Sequence, residues 1–153
     1  MWRPTLFGHP LHPALVHFPI ALWSVGLGWE ALGYLQGGPL WWSLSFWCQT
    51  AGLAVGLLTI ASGFVDFTRI GRGHPALDTV VWHMLAMASA YILFLLSVAL
   101  RLPPGPEAPT AWATGFAVAG FLVTSVGGWL GGSLVYRYGV GVEEKKCESP
   151  DDY

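Results

Sequence analysis

The sequence predicts an all-α fold, an integral membrane four-helix up-down bundle, on three observations. First, 54% of the 153 residues are hydrophobic and only 10% are charged, against about a quarter charged in ordinary soluble domains. A soluble chain this short could not hide so much apolar surface. Second, the apolar residues fall into four stretches separated by short polar breaks, each near or above the roughly 20 residues that a spanning helix requires. Third, Trp41, Trp42, Trp82, Trp112 and Trp129 stand near stretch ends, where interfacial anchors usually sit.

Helix one is expected over about 15–35, closed by Gln36-Gly37-Gly38-Pro39. Its approach, GHPLHPALVHFP from Gly8 to Pro19, carries three prolines and three of the five histidines. Proline is tolerated only in the first turn, so Pro19 places the helix start nearby. Helix two opens on Trp41 and Trp42 and runs over about 41–67. Helix three covers about 78–100 and stops at Arg101 and the loop LPPGPEAPT, and helix four covers about 111–136. The transmembrane domain is therefore 1–142. The tail 143–153, EEKKCESPDDY, is polar and mixed in charge and is expected to be disordered.

The first residues carry one arginine and four prolines rather than the features of a cleavable signal peptide, so insertion is expected to rely on the helices. Cys48 lies in an apolar stretch and Cys147 in the tail, which makes no disulfide framework. With a net charge of -2 and no basic patch, nucleic acid is not an expected partner. An even number of spans puts Arg3, Arg69, Arg72, Arg137, Lys145 and Lys146 on one side and only Arg101 on the other. The positive-inside rule then places both termini in the cytoplasm.

A faint tandem repeat of a two-helix unit is present. His12-Pro13-Ala14-Leu15 precedes helix one as His74-Pro75-Ala76-Leu77 precedes helix three. Helix two ends GFVDFTRIG, from Gly63, and helix four ends GGSLVYRYG, from Gly131. The second pair keeps Gly, Arg and Gly at matching offsets, as a parallel repeat about an axis along the membrane normal would.

The topology gathers His9, His12, His17, His74 and His83 at the cytoplasmic side, with Asp66, Arg69, Arg72, Asp78 and Arg137. Histidine at a membrane boundary needs a partner, a cap or a ligand. His17 and His83 lie at similar depth on helices one and three, which are diagonal in an up-down bundle. They are the expected axial ligands of a b-type haem near the cytoplasmic face, with His74 or His12 as substitutes. Gly63, Gly128 and Gly131 would admit the macrocycle, and Arg69, Arg72 and Arg137 would meet its carboxylates.

Other uses of the same residues stay open. His9, His12, His17, Asp66, His74 and His83 have the ligand types of a zinc, iron or copper site, without any tight ligand spacing. His83 and Asp66 could serve a quinone pocket or proton path. A non-catalytic accessory subunit of a respiratory or photosynthetic complex is a further class. No nucleophilic triad, P-loop or dinucleotide fingerprint is present, and the sequence leaves open whether copies form a homo-oligomer.

GHPLHPALVHFPIALW (Gly8 to Trp23), SGFVDF (Ser62 to Phe67) and GGSLVYRYGVGV (Gly131 to Val142) together resemble one family: small four-helix membrane proteins of bacteria and archaea, carried as a domain of unknown function. The resemblance covers nearly the whole chain. It implies a prokaryotic inner membrane and, through relatives linked to Rieske or cytochrome partners, a redox-linked role in electron transfer. This chain has no CxxCH, so a redox partner protein would be a separate polypeptide.

Overall fold

The computed structural model describes residues 5–6, 9–102 and 107–142, with side chains from Pro10 onward. Arg3, the tail 143–153 and Cys147 lie outside the described residues. A two-residue antiparallel pair, β1 (Thr5–Leu6) and β2 (His9–Pro10), leads into four helices. These are α1 (Leu11–Gln36), α2 (Pro39–Phe67), α3 (Leu77–Ala99) and α4 (Ala111–Tyr136), all long and apolar enough to cross a membrane. The chain is the expected all-α four-helix bundle. A helix satisfies its own backbone, which is why runs this apolar take no other form in lipid.

Three helices begin and end within two residues of expectation; α1 does not, because it starts at Leu11 rather than near residue 15. Pro10 holds its N-cap position and Pro13 falls in the first turn, where no backbone donor is missed. Pro19 is consequently inside the helix and buried, not in its first turn. It leaves the Leu15 carbonyl without its intrahelical donor, a defect tolerated where neighbouring helices cover it.

The connection between α1 and α2 is two residues, Gly37 (φ 70°) and Gly38 (φ 101°), both in backbone conformations that favour glycine. Thr110 caps α4 by accepting from the Ala113 N–H at 3.2 Å. The other end of α4 is closed around Gly139 (φ 64°): Val140 N–H donates to the Leu134 carbonyl and Gly139 N–H to that of Val135.

The packing is that of two antiparallel hairpins, α1 with α2 and α3 with α4, joined face to face. Glycine sets the closest approaches. The Trp23 indole on α1 lies over Gly52 on α2, where a Cβ would come within 2.5 Å of Nε1. The Phe94 ring on α3 lies over Gly120 on α4 in the same way, at 3.0 Å. Trp23 and Phe94 then stack across the middle of the bundle, with centroids 4.5 Å apart and planes 15° from parallel. Between two spanning hairpins such contact replaces the hydrophobic effect, which does not operate between helices in lipid.

These pairs reveal the repeat. A shift of 71 residues carries Trp23 onto Phe94 and His12 onto His83, and a shift of 68 carries Gly52 onto Gly120 and Gly63 onto Gly131. The GFVDFTRIG and GGSLVYRYG segments are therefore equivalent in packing as well as in letters. The HPAL likeness is not, since His12 sits within α1 whereas His74 precedes α3.

The crowding at Gly52 yields a prediction. Gly52→Ala drives a methyl into the Trp23 indole and displaces it from Phe94, an overpacking expected to destabilise by about 1–3 kcal/mol. Gly115→Ala, with nothing within 4 Å, does not lower stability, since alanine is the better helix former. Thermal unfolding of the detergent-solubilised variants measures both.

Candidate functional site: a histidine pair and a buried ion pair

At the bundle end that carries the α2–α3 connection, each hairpin holds one histidine in the same way. His12 on α1 donates from Nδ1 to the Thr59 carbonyl on α2 at 3.0 Å, and its ring lies over Gly63, where a Cβ would come within 2.7 Å. His83 on α3 donates from Nδ1 to the Gly127 carbonyl on α4 at 2.8 Å, and its ring lies over Gly131, at 3.2 Å. Because a carbonyl only accepts, both rings carry their proton on Nδ1. Among the described residues neither Nε2 has a hydrogen-bond partner. Ser62 adds an asymmetry: its hydroxyl donates to the same Thr59 carbonyl at 2.9 Å and lies 3.4 Å from His12 Nδ1.

The other residues singled out in the sequence are distributed around this pair. His17 is exposed on the outer side of α1, so it is His12 and not His17 that shares an environment with His83. His74 accepts from the Ala76 N–H at Nδ1, 3.1 Å, in the turn that starts α3. His9 is in β2, and its side chain lies outside the described residues. Asp66 and Arg69 are half-buried at the end of α2, and Arg72 is exposed in the following loop. Gly128 is exposed with nothing within 4 Å, on the side of α4 away from His83. Arg137 is exposed, its guanidinium 5.6 Å from the centroid of Tyr138. Among the described residues no three His, Cys, Asp or Glu side chains converge as metal ligands would.

The opposite end holds a cluster that sequence reasoning left unassembled. Glu30 on α1 and Arg101, just past α3, form an ion pair, with side chains only 2% and 7% exposed. Around the carboxylate, Thr114 of α4 donates to Oε1 at 2.6 Å, while Ser45 and Gln49 of α2 donate to Oε2 at 3.1 and 3.3 Å. Arg101 also donates to Ser45 and to Ser97, and Ser97 donates to Gln49 Oε1 at 3.3 Å. Tyr34 connects the cluster to the surface through the Thr114 hydroxyl, 2.8 Å away. Residues of α2 and α4, with Arg101 just past α3, thus meet on the one carboxylate that α1 supplies. With both oxygens occupied by donors, the arrangement is a clamp across the hairpins rather than an open site.

The signal for this clamp was present in the letters. Ser45 with Gln49 and Ser97 with Arg101 are polar pairs four residues apart in otherwise apolar helices, the spacing that puts two side chains on one face. Glu30 and Arg101 also correspond under the 71-residue shift, so the ion pair crosses the repeat axis between equivalent positions.

The family model described as "Predicted membrane protein (DUF2231)" matches residues 8–144. The chain belongs to this family. The match takes in every element of the bundle, both histidines of the pair and both members of the clamp, and it makes the chain a multi-pass membrane protein. No curated protein and no solved structure matches it.

Breaking the clamp from one side leaves a buried charge without its partner. Glu30→Ala is expected to destabilise by about 3–5 kcal/mol, and Arg101→Leu in the same background to recover part of that loss. A double-mutant cycle in detergent measures the coupling.

Proposed function

We propose that this chain is a membrane electron carrier for one b-type haem, which His12 and His83 would hold, one from each hairpin. The observation that supports it is the matched state of the two rings. Each is oriented by donating Nδ1–H to a main-chain carbonyl of its own hairpin, and each retains an Nε2 for a ligand. Anchoring of one ring nitrogen by a carbonyl is the usual support for a histidine that ligates through the other. His12 takes the place that depth along the helix assigned to His17, because His17 is exposed on the outer side of α1.

The group fits the residues present in one further respect. Gly63 and Gly131 give each imidazole a cradle that any side chain would fill. Arg69 and Arg72 supply guanidinium groups at this end of the bundle for the carboxylates of the group. A haem with two histidine ligands would supply one-electron transfer. The protein's own part is to fix both rings, to make them electron-rich through the carbonyl bonds, and to hold them at a membrane surface. By the distribution of basic residues that surface is cytoplasmic, in a prokaryotic inner membrane, within reach of a soluble or peripheral redox partner.

The test is an optical spectrum of protein purified from a haem-replete host. Sharp α and Soret bands are expected on dithionite reduction. His12→Ala and His83→Ala each abolish them, and His17→Ala and His74→Ala do not. A colourless preparation contradicts the proposal, and elemental analysis of that sample would then decide for or against a zinc, iron or copper site.

A further inference from the structure

The outer side of α4 carries a groove that the histidine pair and the clamp do not use. It is lined by Trp129, Gly132, Ser133, Tyr136 and Arg137, one face of the helix over its last two turns. Trp129 and Tyr136 are 73% and 92% exposed and stand at either end of a notch at Gly132, where nothing lies within 4 Å of a Cβ. The Arg137 guanidinium closes the groove at the water end. Among the described residues it has no carboxylate partner, only the Tyr138 ring. An apolar notch between two amphipathic aromatics, with a cation where the helix leaves the bilayer, matches the chemistry of a phospholipid: a chain in the notch and a phosphate at the guanidinium.

The repeat provides an internal comparison. Under the 68-residue shift, Gly132 corresponds to Phe64, Trp129 to Ala61, Tyr136 to Thr68 and Arg137 to Arg69. On hairpin one the notch is therefore filled by a phenyl ring, which is 56% exposed and packs near Phe67. The arginine there is half-buried instead of open. The groove is thus a departure of one hairpin from the repeat, not a consequence of the bundle architecture.

We infer that this groove is a binding site for one anionic phospholipid, held by Arg137 at its phosphate and by the Trp129–Gly132–Tyr136 notch along a chain. It does not depend on haem binding.

Native mass spectrometry of the detergent-solubilised protein, titrated with equal phosphatidylglycerol and phosphatidylcholine, tests it. The wild type is expected to retain one phosphatidylglycerol in preference. Arg137→Gln lowers that preference roughly fivefold, the effect of one juxtamembrane cation. Gly132→Phe, which copies hairpin one, removes the tight lipid altogether. Gly115→Phe, at an open glycine near the other end of α4, retains it, and circular dichroism confirms that each variant is folded. Equal retention of both lipids by the wild type, or an unchanged preference in both groove variants, overturns the inference. So does displacement of the lipid by inorganic phosphate alone, which would make this a simple phosphate site. A wild-type dimer that Gly132→Phe converts to monomer at constant lipid content overturns it in favour of a second copy on this face.

Discussion

The bundle depends on one constraint: the hydrocarbon of a bilayer supplies no partner for a charge, so Glu30 and Arg101 must find each other inside the protein. They lie on different hairpins, so their pairing ties one hairpin to the other. The surrounding donors Ser45, Gln49, Ser97 and Thr114 turn that meeting into a junction of all four helices. Trp23 and Phe94 stack a turn or two deeper and continue the same interface. Between helices in a bilayer the driving forces are packing and satisfied polar groups, and both are concentrated in this half of the molecule.

The other half is built differently. There the hydrogen bonds of His12 and His83 run within a hairpin, not between hairpins. Each hairpin brings an imidazole oriented by a carbonyl over a glycine, and the clamp at the far end ties the two hairpins together. The division of labour follows the two-hairpin pattern. A repeated two-helix unit supplies two equivalent histidines at no extra cost in design, and divergence at the equivalent positions 30 and 101 into opposite charges makes the two copies choose each other. The proposed lipid groove is a second divergence, with glycine in one copy where the other keeps Phe64.

Much of this was legible from apolar run length and from Gly and Pro punctuation, because these report directly on what a bilayer tolerates. The limits of α4 and the Gly37–Gly38 turn are examples. Two features misled. Proline at positions 10 and 13 reads as an obstacle to helix, whereas the first turn of α1 simply has no use for the missing donors. The HPAL pair reads as a repeat, whereas the equivalent of His12 is His83, preceded by unrelated letters. Periodicity alone could not choose between His12 and His17, which are five residues apart and so face different ways, until the helix start was known. The pairing of Glu30 with Arg101 was equally hidden. Which hairpin faces meet is a property of packing between distant segments.

The idea that each hairpin contributes one histidine to a single shared site is tested most directly by low-temperature electron paramagnetic resonance of the oxidised protein. A low-spin ferric signal of the two-imidazole type is expected, converting to high spin or vanishing when either His12 or His83 alone is replaced. A signal that survives replacement of one of them, or the absence of any ferric signal in protein from a haem-replete host, would contradict it.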